Sequence, residues 1–403
     1  MKPPSANPHP VPIQFHDALF PQLGISVSQF LGFNFPSQDP GASTAPPFPF
    51  FARKAPIVVS TSDLQLLRTL PIPSRSTIDA LSNYLTALVT DEPVSIVYAH
   101  LPIDNAFRSV NFPSWVIPYW LRISRLRRHV VLPWQRAEQW LANSLSYTGH
   151  RDLVADARSI LHHLPWTGTT WAFSDPEPIT SLTCYLSSNW FGTTHIDQQL
   201  DLLRHRLTRD SPIHEFEILP THFIRLLLEL HRDYQTNYTG NQRFRHIWAQ
   251  GEELSAPKCQ QMRIGGVVNV NGNHWVAVVV DLRSSTILYG DSLNLSDSIV
   301  VPTLSWWTQF HTGRQFSTAV LPIGTQSDNV SCGVFALSAL IHHFFPESVI
   351  VGQRTIRMER LRSFCAAGQL ELDAVSYCHH NPGYLLIFLS SDLILTSRFL
   401  RSM

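Results

Sequence analysis

The chain has 403 residues, long enough for two domains or one large one, and it is 44% hydrophobic but only 15% charged, which excludes a largely unfolded, highly charged protein. Thirty lysines and arginines balance thirty aspartates and glutamates, so the formal net charge is +0 and nothing in the overall balance attracts nucleic acid or an anionic membrane. Arginine supplies nearly all the positive charge, because lysine occurs only as Lys2, Lys54 and Lys258.

The first 60 residues are rich in proline, from "KPPSANPHPVP" to "STAPPFPFF", and are expected to be extended or disordered. The opening "MKPPSANPHP" lacks the apolar core of a signal peptide. From 61 to 178 the spacing of apolar residues predicts a mostly helical region, with helices in "TIDALSNYLTALV", "SWVIPYWLRISRLRRHV" and "WQRAEQWLANSLS". The arginines of "RISRLRR" read as a solvated helix face. The turn-rich "SDPEPIT" (174–180) marks the expected domain boundary. Beyond it, "LSSNWFGTTHIDQQLDLLRHRL" runs from a turn into a helix that places Ile196, Leu200, Leu203 and Leu207 on one face. "EILPTHFIRLLLEL" predicts a second helix near 217–230. The C-terminal run "YLLIFLSSDLILTSRFL" is broken by Asp392 and two serines and falls short of the roughly 20 apolar residues of a membrane span. It reads as a buried or strand-forming tail, residues 373–403.

The five cysteines, Cys184, Cys259, Cys332, Cys365 and Cys378, include no CxxC pair, and the scattered set reads as reduced thiols of an intracellular protein. "YCHHNPGY" gathers a cysteine and two histidines, but no second cluster stands at ligand spacing, so no metal or other cofactor is expected.

Chemistry concentrates between 267 and 344. In "VVNVNGNHWVAVVVDLRSSTILYGDSLN" the run "HWVAVVVDL" is β-branched enough for a buried strand, "RSS" is a turn and "TILYGDSL" a second strand. Folding this hairpin about Ser284 sets His274 opposite Asn294, a few residues from Asp291. With strands about 4.8 Å apart, imidazole and carboxylate come within reach. A carboxylate on one ring nitrogen fixes the tautomer and leaves the other to take a proton. In "TQSDNVSCGVFALSALIHHF" the apolar spacing predicts a buried helix with Cys332 at its N-terminus, where the helix dipole and an imidazolium both favour the thiolate. Gly333 lets the backbone pass close to a reacting carbonyl. Gln326 precedes the helix, and its amide can join the Cys332 backbone N–H as an oxyanion donor. Taken singly, a helix-start cysteine or a His-Trp step is ordinary packing; their joint appearance in order is what points to catalysis.

That order, His274-Trp275 opening a strand, "YGDS" with Asp291, then Gln326 and Cys332-Gly333 six residues later, resembles the sentrin-specific (ubiquitin-like-modifier) protease family, and "WFGTTHIDQQLDLL" from Trp190 is similar to that family's opening motif. The likeness covers about residues 183 to 370. It implies an α+β, papain-like cysteine protease fold with a permuted His-Asp-Gln-Cys order, over residues 179–372, preceded by the mostly helical region. It implies Cys332 as nucleophile, His274 as general base and acid, Asp291 as orienter and Gln326 as oxyanion donor. Trp190, Trp275 and Gly333 would bind a substrate tail, the two indoles flanking a channel that admits only Gly-Gly. The implied activity is a thiol protease or isopeptidase acting on SUMO or another ubiquitin-like modifier and its conjugates, in the nucleus or cytoplasm. One departure is Ser331, where the family commonly has aspartate; a serine there is expected to cap the helix. Two other readings stay open: a silent module that binds the modifier tail without cutting it, and an acyltransferase using the same triad.

Overall fold

The computed structural model describes residues 10–37, 50–53, 59–87, 94–103, 106–147, 149–210, 215–295 and 299–380. The chain divides into two compact units, residues 1–135 and 136–403. The apolar tail beyond His380 lies outside the described residues.

In the first unit, three antiparallel strands, β1 (Phe50–Arg53), β2 (Val94–Ile103) and β3 (Ala106–Pro113), accompany helices α1 (Thr61–Thr69), α2 (Arg75–Ala87) and α3 (Val116–Leu126). Helix α1 begins with a capping box in which the Ser60 and Asp63 side chains each accept the other's backbone N–H. The mostly helical region also holds strands, because "VSIVYAHLPI" pairs with its neighbours as one. The proline-rich leader also contributes to the core: Leu19 and Phe20 are buried with Leu67, Ile78, Phe112 and Trp120, and Val27 and Phe30 are buried as well. The apolar residues between the prolines find a face to bury against, which offsets the entropy of ordering them. Arg122 lies with its guanidinium 4.0 Å from the centre of the Phe20 ring, and Arg127 donates to the Pro36 carbonyl. Two of the clustered arginines thus hold the leader in place.

The second unit is built on a five-stranded mixed sheet of order β4-β5-β6-β7-β8, from β4 (Phe216–Leu219), β5 (Arg263–Val270), β6 (His274–Asp281), β7 (Thr286–Gly290) and β8 (Ser317–Val320). The central three form an antiparallel meander, and each outer strand runs parallel to its neighbour. The helix expected from 217 is in fact a strand and then a helix, α7 (Thr221–Asp233). Pro220 separates them, and the Asp197 carboxylate accepts the Thr221 backbone N–H at 2.8 Å and its hydroxyl at 2.7 Å. Val276, Val278 and Val280 bury one face of the sheet against α7, α8 (Arg245–Leu254) and α9 (Val300–Thr312). The other face carries α10 (Cys332–Phe344); Gly265 leaves room there for the Phe344 ring, which would lie 2.7 Å from an added Cβ.

Beside α10 run α6 (Thr193–Asp210) and the long α11 (Ile356–His380), which packs on α5 (Arg151–His163). Ile160 of α5 fills the space above Gly368, where a Cβ would come within 2.6 Å of it. Arg357 donates to the Trp140 carbonyl and the Ser144 hydroxyl, and the buried Glu371 accepts the backbone N–H groups of Trp171 and Ala172. This unit therefore includes chain upstream of the turn-rich 174–180 stretch. No helix among the described residues is long and apolar enough to cross a membrane.

Candidate active site

His274 opens β6 because the turn before it is tight. Asn271 and Gly272 both take positive φ, 55° and 79°, a conformation that asparagine and glycine tolerate best. The β6–β7 ladder runs from Asp281↔Thr286 to Ala277↔Gly290. That is one residue tighter than a fold about Ser284. The ladder ends at Gly290, so Asp291 stands just past the end of β7, at the edge of the sheet where β6 begins. His274 Nε2 lies 2.7 Å from Asp291 Oδ1, with both residues buried. Asp291 is held in turn by the backbone N–H groups of Leu293 at 2.8 Å and Leu295 at 3.0 Å. Burial pushes the Asp291 carboxyl up, but the imidazole and these two amides outweigh it and hold the group below its ordinary value.

Cys332 begins α10 and is 1% exposed. Its sulfur lies close enough to the His274 ring for each group to shift the other's titration. Since Asp291 occupies Nε2, the ring nitrogen left for the sulfur is Nδ1. The Trp190 indole N–H donates to the sulfur at 3.2 Å, and the Trp275 backbone N–H also points at it. Burial alone would raise the thiol; His274, the Trp275 amide and the Trp190 indole bring it below its ordinary value. Beside both Asp291 and Cys332, His274 is raised to about 9. A carboxylate, an imidazole and a thiol in one line, with the imidazole favoured as the cation, can hold an ion pair with a nucleophilic sulfur and can pass a proton.

A sequence model of the Ulp1 protease family, C-terminal catalytic domain, matches residues 189–371. Those residues hold His274, Asp291, Gln326 and Cys332. No curated protein matches it. Among solved structures it is similar to the Ulp1 protease domain in complex with Smt3, the yeast orthologue of SUMO, at 16% identity and a TM-score of 0.41 over 56% of this chain and 96% of that one. The Ulp1-like SUMO protease catalytic domain of Chaetomium thermophilum aligns at 14% identity and 0.38, over 45% and 74%. The Xanthomonas campestris effector XopD, bound to ubiquitin, aligns at 20% and 0.31, over 44% and 91%.

Within the matched segment the remaining expected site residues take distinct places. Gln326 is buried in the loop before α10, with its side-chain oxygen accepting from Ser292 Oγ at 2.9 Å and its Nε2 donating to the Asp328 carbonyl at 2.6 Å. Ser331 does not cap the helix. Its hydroxyl donates to Asp328 Oδ2 at 2.7 Å, while Asp328 Oδ1 accepts the N–H groups of Val330 and Ser331. The carboxylate three residues back takes the serine's own hydroxyl and N–H, and the Val334 N–H bonds the Ser331 carbonyl instead of its side chain. Asp328 also accepts from Gln353 at 2.6 Å, so it ties Gln326, the start of α10 and a neighbouring segment together. Sequence reasoning passed over it; the signal was a lone carboxylate between Gln326 and Cys332, placed to turn the loop.

The two indoles do not flank a channel. Trp190 and Trp275 stack on each other with centroids 5.3 Å apart and planes at 17°. A backbone between two ring faces needs about 7 Å, two van der Waals contacts. Trp275 is fully buried and donates to the Phe191 carbonyl at 2.7 Å, whereas Trp190 is the ring that meets the sulfur. Gly333 is buried as well: an added Cβ would lie 2.9 Å from Ile196 and 3.3 Å from both Phe191 and Trp275. It serves close packing at the helix start. Among the described residues no cluster of metal-ligating side chains occurs.

Proposed function

We propose that this protein cleaves after the C-terminal Gly-Gly of SUMO or another ubiquitin-like modifier, releasing it from a precursor tail or from a lysine isopeptide. The observation that carries this reading is the line Asp291–His274–Cys332 at the mouth of α10, inside a Ulp1-family domain. The relatives described in complex with Smt3 and with ubiquitin support the substrate class.

In this reading Cys332, as thiolate, attacks the glycine carbonyl. A C–S bond forms, the C–N bond breaks, and His274 Nδ1 gives its proton to the leaving amine. Water then attacks the thioester, His274 takes its proton, and the modifier leaves with a free carboxylate. Asp291 holds the ring in the tautomer that aims Nδ1 at sulfur. The Cys332 backbone N–H, one of the helix-start amides with no intrahelical acceptor, stabilises the oxyanion together with the Gln326 amide. The stacked Trp190–Trp275 pair forms a wall over the sulfur, and only a tail without side chains can approach closely beside it. Gly333 allows that wall to pack against the helix start. The free thiols Cys184, Cys259, Cys332 and Cys365 fit a reducing compartment, and we place the protein in the nucleus or cytoplasm.

The test is a panel of ubiquitin-like modifiers, each carrying a C-terminal electrophile, incubated with the full chain. A covalent adduct with at least one, lost in Cys332→Ser, is the expected result. Binding without any adduct would instead make the protein a silent tail-binding module.

A further inference from the structure

Arg360, on α11, is 2% exposed, yet among the described residues no carboxylate forms an ion pair with it. Its hydrogen bonds go to two backbone carbonyls: Nη1 donates to Cys184 at 3.2 Å and Nη2 to Asn189. Its guanidinium lies 4.4 Å from the centre of the Phe191 ring. A buried charge without a counter-charge is costly, and proteins rarely keep one unless something else needs it.

What needs it lies one step away. The Cys184–Asn189 turn that Arg360 clamps leads directly into Trp190 and Phe191. Trp190 donates to the Cys332 sulfur, and the Phe191 carbonyl accepts the Trp275 indole. The clamp is fastened a second time, because the Cys184 thiol donates to the Trp190 carbonyl at 3.6 Å. Movement of Arg360 therefore moves the indole wall. The Asp328 carboxylate in the loop before α10 and the Cys332 sulfur both lie within the field of the guanidinium, as does His195 of α6. Asp328 brings a negative charge beside the helix start, where it opposes a thiolate; the buried guanidinium offsets that.

We propose that Arg360 is a positioning and counter-charge residue for Cys332, clamping the turn that holds Trp190 on the sulfur while its buried positive charge balances the negative sulfur. This rests on Cys332 being the nucleophile. An arginine suits both tasks at once, since its planar fork spans two carbonyls and stacks on a ring while keeping its charge in a buried site.

The experiment follows the rate of Cys332 alkylation by iodoacetamide against pH in the full chain, with Cys332→Ser subtracting the other cysteines. No modifier is needed, so the result stands apart from the modifier panel. Arg360→Gln, which keeps hydrogen bonding but removes charge, is expected to move the rise in rate to higher pH by about one unit and to slow alkylation about tenfold at neutral pH. Arg360→Lys keeps the charge and is expected to leave that rise in place. Its single ammonium cannot span both carbonyls, so it should slow the alkylation plateau severalfold. A glutamine variant with unchanged melting temperature and an unchanged profile overturns the proposal. Should that variant fail to fold, the lysine variant decides, and a plateau equal to wild type overturns the clamp.

Discussion

His274 faces two partners that want the same thing from it, a positive charge, and its raised value of about 9 follows from both. The protonated ring is favoured in the folded state. Its contribution to stability is therefore complete below the ordinary histidine value near 6.5 and is lost as pH rises through about 9. Asp291 works in the opposite sense, stabilising above the ordinary carboxylate value and losing that contribution as acid reaches its lowered one. Turnover of an amide substrate needs a thiolate and a protonated ring together. The rate should rise as pH climbs through the lowered Cys332 value and fall near pH 9 as His274 loses its proton. In Asp291→Asn the fall should move toward the ordinary histidine value and the maximum should drop about a hundredfold or more. A variant whose alkaline limb stays in place would show that the carboxylate does not set the ring's charge. Cys332, His274 and Asp291 could be picked out of the sequence as candidates because each sits at a pattern edge: a helix start, a strand start and a strand end. Asp328 and Arg360 could not, since their partners lie in segments whose meeting no local pattern encodes.

At the level of elements, the sheet meander and the α10 helix could be read from β-branching and apolar spacing. The hairpin register could not. The Arg283–Ser285 turn is one residue tighter than a symmetric fold about Ser284, with Ser285 at φ 51°, so β7 ends at Gly290 and Asp291 stands just beyond it. Similarly, "EIL" reads as the start of a helix until β5 supplies a parallel partner for it. The junction of α10 with the sheet carries its own prediction. Gly333 has Ile196, Phe191 and Trp275 within 3.3 Å of where a Cβ would stand. Gly333→Ala should therefore destabilise the fold by about 1–3 kcal/mol, as overpacking does, and slow reaction of the neighbouring sulfur. The denaturant midpoint checks the first effect and alkylation the second; a variant unchanged in both would mean the contact relaxes freely.

For the molecule as a whole, the family match starting at residue 189 is shorter than what holds the fold together. Helix α5 packs Ile160 over Gly368, Arg357 is bonded to Trp140 and Ser144, and the buried Glu371 depends on the amides of Trp171 and Ala172. A chain starting at residue 189 strands that carboxylate without its donors, whereas one starting at residue 136 keeps them. We expect the longer chain to melt cooperatively and the shorter one to melt several degrees lower or aggregate, as read by calorimetry. Equal melting temperatures would show that residues 136–188 are dispensable.

The mixed sheet has a kinetic consequence. Its three central strands are neighbours in sequence, whereas β4 and β8 join from far away, Phe216 pairing with Arg263 and Thr286 with Ser317. Local contacts close fastest, so the meander forms first and brings imidazole and carboxylate together early. The sulfur arrives only when α10 docks, and until then a nascent chain keeps an ordinary, unreactive thiol. Refolding followed by pulsed thiol trapping should show Cys332 reactivity appearing in the last phase, after the strand signal. Its appearance together with the strands would reverse that order.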